Sequence, residues 1–341
     1  MRFSTTFALA TAATTVHAIS FPDVSAVLPD LTAVKRDFEA VKRTISSISI
    51  PDIFSAKRDL ETRQSGCPAV WTTISKELTG LFLSNGQCND AARAAIRASF
   101  HDCGTWNKAQ GNTGGCDGSL ILAGELERPD NNGLQGISAT LLSMAQRYKV
   151  GVADMIAFAG NHATVTCSGG PKIKTYVGRK DSTTPNPDGF LPDVRSSGES
   201  LFKLFQDKGF DAVDLAALLG AHSTSKQRFV DPSRAGQPQD STPGVWDVKY
   251  YAETLKTPAP NGVFVFESDR NLANHATVGK EFKGMVDNQG KWNGKYAQAM
   301  ERMTLLGVPS GSANLIDCTN ALPKVMQVRD MRAGAFYKPR N

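Results

Sequence analysis

Long apolar runs, C-x-x-C pairs and N-x-S/T sequons are all missing from the 341 residues. Without an apolar stretch approaching ~20 residues the chain has no candidate transmembrane helix. Without C-x-x-C spacing, the six cysteines argue against a zinc site and fit three disulfides in an oxidising compartment, although six cysteines allow 15 pairings. A strong charge of either sign is lacking too, since 38 basic side chains stand against 33 acidic ones. That small excess leaves no nucleic-acid footprint, and it sits in the terminal segments. Beyond Pro323 come Lys324, Arg329, Arg332, Lys338 and Arg340 against Asp330 alone, whereas residues 64–323 are charge-neutral.

With 40% apolar and 21% charged residues the chain is globular rather than disordered. A single core stops growing at roughly 250–300 residues, which favours two lobes. The N-terminus reads as an export leader. Arg2 precedes the short apolar stretch Phe7 to Ala13, and Val16-His17-Ala18 supplies small residues for cleavage, giving a signal peptide over 1–18. Residues 19–63 hold no cysteine and carry Lys35-Arg36, Lys42-Arg43 and Lys57-Arg58. Such pairs behind a leader suit a processed propeptide, the alternative being a solvated charged helix of the mature chain. The tail, 324–341, is basic, poor in apolar residues and expected to be disordered.

Helical periodicity dominates in between. It predicts helices over Ala69 to Leu83, Asp90 to Phe100, Gly136 to Tyr148, Val152 to Cys167, Ala212 to His222, and Lys280 to Gly307 with a break at Gln289-Gly290. Strand signals are few, Gly262 to Glu267 being the best. The expectation is a mainly α protein. Three of these helices carry a histidine: His101, His162 and His222. A buried histidine is usually a hydrogen-bonded core residue, and His162 reads that way. His101 differs, because Arg97 one turn earlier projects from the same face with Phe100 beside it, and a buried basic pair needs an anionic or polar partner.

Arg97-Ala98-Ser99-Phe100-His101-Asp102-Cys103 resembles the distal helix of plant-type haem peroxidases, and Leu219-Gly220-Ala221-His222-Ser223 resembles their proximal helix. The resemblance extends over about residues 67–322 and is closest to the secreted fungal class II enzymes. Glu125 and Asn131 are similar to the pair that orients the distal histidine, Gly178-Arg179 with Pro185 to Pro192 to the interdomain segment, and Asp269 to the carboxylate behind the proximal histidine. The resemblance implies a two-lobed fold, with a distal lobe over 64–180, a proximal lobe over 181–323 and haem between them. It also implies one haem b with His222 axial, hydrogen peroxide as oxidant, small phenolic or aromatic donors, no nucleic-acid partner, a monomer and an extracellular location. The residue chemistry agrees. A neutral imidazole can move a proton between the two peroxide oxygens, Asn131 can fix its tautomer, and a permanently charged Arg97 can stabilise the leaving oxygen.

Two calcium sites follow from the same resemblance. Asp102, the Gly115 carbonyl, Asp117 and Ser119 form a distal set, while Ser223, Asp240, Thr242, the Val245 carbonyl and Asp247 form a proximal one. Both consist of the hard oxygen donors calcium takes, although D-x-T and D-G-S runs also occur as ordinary capped turns. The resemblance pairs Cys67 with Cys318, Cys88 with Cys167 and Cys103 with Cys116. The last pair is more like plant secretory peroxidases, and Gln239 replaces the phenylalanine of the class II pattern. Manganese-oxidising members carry three carboxylates where this chain has Asp90, Ala94 and Arg228, and lignin-oxidising members a tryptophan where it has Ala217. Phenolic donors are therefore expected, against a lignin- or manganese-type enzyme with a relocated donor site. Two further alternatives are a haem- and calcium-binding protein with little turnover and a thiolate-ligated peroxygenase. Arg97, His101 and Asn131 argue against the first, and the missing Pro-Cys-Pro and free thiol against the second.

Overall fold

The computed structural model describes residues 66–326. The leader 1–18, the propeptide 19–63 and positions 327–341 of the tail lie outside the described residues. The chain opens with α1 (Val70–Phe82), a two-residue hairpin of β1 (Leu83–Ser84) and β2 (Gln87–Cys88), and α2 (Asp90–Cys103). Asn89 caps α2 by accepting from the amides of Ala91 and Ala92, with Asp90 in its first turn, where a negative charge complements the helix dipole. The short α3 (Ser119–Leu122), α4 (Gln135–Tyr148) and α5 (Val152–Thr166) follow, then β3 (Tyr176–Val177). Every residue of α5 is buried, and it packs on α1, α2 and α4, most extensively on α2.

A second group of helices comprises α6 (Gly198–Lys208), α7 (Ala212–Leu219), α8 (Lys249–Thr254), α9 (Glu267–Ala273), α10 (Val278–Lys283) and α11 (Gln289–Met303). Here α7 is central, contacting α10 and α11. The buried residues of both groups form one contiguous cluster, from Trp71 and Phe158 to Trp292 and Phe282. Beyond α11 the chain returns to the first group: β4 (Ile316–Asp317) pairs antiparallel with β3, and Cys116 N–H donates to Leu306 O at 3.0 Å. This close approach needs Gly115 (φ +89°), where a Cβ would lie 2.3 Å from Leu306 O. Disulfides join Cys67 to Cys318, Cys88 to Cys167 and Cys103 to Cys116, leaving no free cysteine among the described residues.

Three sequence expectations are corrected. The helix expected over Ala212 to His222 ends at Leu219 and tightens into a 3-10 turn, Gly220–Thr224. The physical cause is competition for carbonyls. Tyr251 Oη donates to Ala216 O at 2.9 Å and Trp292 Nε1 to Ala217 O at 3.0 Å, so the chain continues on i→i+3 bonds. Gly220 admits both rings, since a Cβ there would fall 2.2 Å from Trp292 Nε1. The break in Lys280 to Gly307 falls before Gln289-Gly290, because the Asn288 side chain accepts from Lys291 N–H and starts α11. Finally, Gly262 to Glu267 joins no sheet. It is an extended strap, tied to Pro238 O by the Phe264 amide, and Glu267 already begins α9.

One buried ion pair braces the first group. Arg179 donates to Asp154 at 3.1 Å and to Thr304 O, with both side chains nearly inaccessible. Truncating one partner strands the other in low dielectric. Asp154→Ala is therefore expected to reduce the unfolding free energy by about 3–5 kcal/mol, read from a denaturant midpoint; an unchanged midpoint would contradict it.

Candidate functional site

The two helix groups face each other across His101 on α2 and His222 on the 3-10 turn. The segment that follows His222 reaches the helix of His101: Arg228 lies 3.3 Å from Asp90, and the Phe229 ring packs over Gly133 close to Arg97. On the α2 side, Arg97 Nε lies 3.1 Å from His101 Nε2, and His101 Nδ1 lies 2.7 Å from Asn131 Oδ1. Arginine only donates, so Nε2 must be the acceptor and Nδ1–H the donor. That fixes one neutral tautomer. Burial, with the neighbouring Arg97 charge, holds the imidazole down to about 3, keeping Nε2 unprotonated. Asn131 is itself held by donating from Nδ2 to the Glu125 carbonyl at 2.8 Å. The Glu125 carboxylate faces elsewhere, accepting from Asn186 N–H and Arg128. Glu125 thus acts on Asn131 through its backbone rather than its side chain.

Arg97 also donates from Nη1 to Asn132 O and from Nη2 to Asp130 O. Three acceptors clamp the guanidinium, and burial lowers it only to about 10, so it stays charged. Phe100 stands edge-on to His101 and stacks parallel on Phe205 at 6.2 Å, which walls the imidazole with apolar surface.

Across the interior, His222 Nδ1 donates to Asp269 Oδ2 at 2.9 Å. Burial disfavours the charged ring, but the Asp269 charge and hydrogen bond outweigh it and raise the His222 pKa. Nε2 has no partner among the described residues, and the ring is 34% exposed. Tyr250 and Phe266 set edge-to-face contacts around it at 5.8 and 5.5 Å; Phe266 comes from the strap, which explains that segment's apolar alternation. Asp269 is buried on α9. An imidazole with a carboxylate behind Nδ1 and an open Nε2 suits a metal-ligand role. His162 is different: its Nε2 lies 2.8 Å from Ser75 O, Nδ1 contacts Thr166, and the ring is fully buried.

Both oxygen-rich sets come together. Asp102 is buried and accepts from the amides of Gly118 and Leu120, while Asp117 accepts from Ser119 N–H. Ser119 Oγ is buried without a partner. The Gly115 carbonyl already accepts from Asp117 N–H and Asn186 Nδ2, so it is the least available member. In the second set Ser223 Oγ and Asp240 Oδ2 are both buried and unpaired, while Thr242 Oγ1 donates to Asp247. Burial first, then repulsion from Asp247 and Glu253, pushes Asp240 up to about 8. Val245 closes the same turn through its amide bond to Thr242 O. Among the described residues no cluster of three or more His, Cys, Asp or Glu could hold a metal. Each set instead mixes two carboxylates with hydroxyl and carbonyl oxygens, and its orphaned oxygens fit a hard cation.

Some features were not foreseen from the sequence. Arg93 (2.8 Å) and Lys226 (3.7 Å) join Arg228 (3.3 Å), which the resemblance had already set beside Asp90, around one carboxylate. Only the Asp90–Arg93 spacing, i to i+3, had a local signal. The Gln239 side chain is wholly buried with both amide atoms unpaired. Ala94 is half-buried on α2, and Ala217 is fully buried.

The sequence profile of the peroxidase family matches residues 74–288. Among curated proteins, the chain is 34% identical to a low-redox potential peroxidase of Taiwanofungus camphoratus, over 74% of this chain and 77% of that one. A versatile peroxidase of Pleurotus eryngii is 30% identical over 77% and 76%, and a manganese peroxidase of Phlebia radiata 29% identical over 82% and 85%.

Proposed function

Because the chain belongs to the peroxidase family, a haem enzyme family that uses hydrogen peroxide, we propose that it is an extracellular peroxidase oxidising small phenols in two one-electron steps. His222 would hold a haem b on the side facing His101, and the group would supply the redox chemistry by which peroxide is reduced and donors are oxidised one electron at a time. The observation that carries this reading is the opposed pair of histidines: one with a clamped guanidinium at its acceptor nitrogen, the other with a carboxylate behind an open Nε2.

The protein's own groups divide the work. His101 Nε2 takes the proton from one peroxide oxygen and returns it to the other, which leaves as water. Asn131 accepts the Nδ1–H and keeps the ring in the tautomer this needs. Arg97, held by Asn132 O and Asp130 O, presents its charge to the departing oxygen without reorganisation. Asp269 makes His222 a stronger donor to the iron. Phe100 and Phe205 limit water at the acid–base face. The two oxygen sets would each hold a calcium ion, and Asp102 and Ser223, next to His101 and His222 in the chain, would then anchor those histidines. The leader and the disulfides support an extracellular location, and no described helix is long and apolar enough to cross a membrane.

The donor assignment rests on what surrounds Asp90 and on where the tryptophans lie. The Asp90 carboxylate already has Arg93, Lys226 and Arg228 within 4 Å of its oxygens, so a divalent cation bound there would be repelled by like charge; two unit charges 4 Å apart repel by about 4 kcal/mol at an effective dielectric of 20. Trp246 and Trp292 stack on each other in the core and Trp71 is buried, while Trp106 is tied to Gly111 O. Steady-state assays with peroxide are expected to give good turnover of simple phenols and weak turnover of Mn(II) and non-phenolic aromatics. Saturable micromolar-range Mn(II) oxidation would overturn the donor assignment, and an absorbance spectrum unaltered by peroxide would overturn the enzyme reading.

A further inference from the structure

Phenylalanine and the oxidisable aromatics are segregated about the two histidines. Beside His101 the line of rings runs through Phe100, Phe205 and Phe210. From His222 two lines depart, and one passes through Phe266 to Phe264. The other contains no phenylalanine: Tyr250 stands 5.8 Å from His222, Tyr251 5.3 Å from Tyr250, and Trp292 5.8 Å from Tyr251, centroid to centroid. It ends on Trp246, which stacks on Trp292 at 4.8 Å and 5° from parallel, with Tyr296 edge-on to Trp246 at 4.7 Å. Phe282 flanks the two tyrosines without interrupting the line. Three of the chain's six tyrosines and two of its four tryptophans thus stand together behind the residue assigned to the iron, all of them buried.

Packing explains buried aromatic residues in general, but it does not explain this choice of rings. Phenyl groups resist oxidation, whereas phenols and indoles give up an electron to a strong oxidant. A phenol sheds its proton when it does so, and neither tyrosine of the line is hydrogen-bonded to a base: Tyr251 Oη donates to the Ala216 carbonyl, and Tyr250 Oη has no partner among the described residues. An indole can carry the positive charge with its N–H intact. Trp246 Nε1 donates to Asn293 Oδ1 at 3.2 Å and Trp292 Nε1 to Ala217 O at 3.0 Å. These neutral oxygens leave the proton where it is and turn the negative ends of their dipoles toward the rings. A buried charge is costly unless it is hydrogen-bonded or paired; the two bonds, and a charge spread over two parallel rings, reduce that cost.

We infer that the Trp246–Trp292 pair is an internal electron store. When peroxide has oxidised the haem that His222 would hold and no donor is at hand, the pair passes one electron to it by way of Tyr251 and Tyr250. No bond breaks and no proton moves; the haem is reduced by one electron and the stack becomes a radical cation shared by both rings. A phenol arriving later supplies an electron through the haem and the same two tyrosines, which restores the pair, and loses its own proton to solvent. Being buried, the stack oxidises nothing in solution itself. It holds the oxidising equivalent away from the haem until a donor comes, and so protects the haem from bleaching. The inference goes beyond the donor assignment and rests on the peroxidase reading, which supplies the oxidant.

The test mixes holoenzyme with equimolar peroxide in the absence of any donor, freezes the sample, and records electron paramagnetic resonance beside the haem absorbance. An organic radical is expected whose hyperfine pattern narrows in protein grown with ring-deuterated tryptophan and is unmoved by ring-deuterated tyrosine, labels that leave the fold untouched. Trp246→Phe keeps a ring in the stack and should confine the spin to Trp292, widening the pattern. The same variant should react with peroxide at the usual rate, yet lose its haem absorbance severalfold faster under excess peroxide. A radical that answers only to labelled tyrosine, a tryptophan signal unaltered in the Trp246 variant, or an oxidised haem with no organic radical would each overturn the store and leave the peroxidase reading standing. Haem absorbance unaltered by peroxide would overturn both.

Discussion

Replacing His101 with Ala is expected to slow the reaction of the haem-loaded protein with peroxide by roughly two to four orders of magnitude, with haem content unchanged. The separation follows from the fold. His101 sits on α2 and His222 on the 3-10 turn after α7, so the acid–base group can be removed without touching the residue assigned to the iron. Among the described residues, the only acceptor nitrogen facing Arg97 is His101 Nε2. Without it the peroxide proton has water alone as its carrier. Asn131→Ala should give a smaller loss, since it frees the tautomer but leaves the imidazole present. Stopped-flow absorbance after mixing with peroxide measures both, and a near-normal rate in the His101 variant would sink the assignment.

The charge-stabilising role of Arg97 separates from the proton transfer in the same experiment. Removing one preorganised donor at developing negative charge typically loses a factor of about 10² to 10³. Arg97→Leu should therefore slow the peroxide step by that order while the His101 tautomer, set from the other side by Asn131 at 2.7 Å, persists. If Arg97 only neutralised the surrounding carbonyls, the variant would alter stability and leave the rate alone.

How much of this was legible depended on sequence distance. The Arg97–His101 pair lies within one turn of one helix, and helical periodicity alone puts both on one face. The partners Asn131, 30 positions from His101, and Asp269, 47 positions from His222, were visible only through resemblance to a family, because no local rule brings a loop asparagine or the start of α9 to a given ring. The Asp90–Arg228 contact spans 138 positions; no local rule joins the two segments, and only the resemblance set both residues at one site. The helix starts at Asp90 and Ala212, behind the capping side chains of Asn89 and Asp211, were legible to the residue, whereas α6, capped by Ser197, was not expected and the Asn288 cap of α11 was not foreseen. The 3-10 ending of the His222 segment was not, because Tyr251 and Trp292 decide it from elsewhere in the chain. The strap over 262–267 misled for a related reason: its alternation serves Phe264 and Phe266, which pack edge-to-face at 5.5 Å, and not a sheet.

Chelating the calcium proposed for the two oxygen sets is expected to have the other large effect. Within the two sets three buried oxygens, Ser119 Oγ, Ser223 Oγ and Asp240 Oδ2, have no hydrogen-bond partner among the described residues, and each such group carries a desolvation penalty of about 1–3 kcal/mol unless something fills it. A cation in each set would remove the penalty and neutralise the paired carboxylates at once. Because Asp102 follows His101 and Ser223 follows His222 directly, a ligand lost from either set frees the backbone that aims a histidine. An ion present at a thousandfold over its dissociation constant stabilises the native state by about 4 kcal/mol, so chelation should lower the thermal midpoint clearly as well as abolish peroxide turnover, and readded calcium should restore both. The sets can be told apart. Asp240→Asn should halve the calcium content and disturb the His222 side, while Asp117→Asn does the same on the His101 side. Full activity and an unchanged midpoint in protein shown by elemental analysis to be calcium-free would refute both sites, and would leave the three orphaned oxygens without a physical purpose.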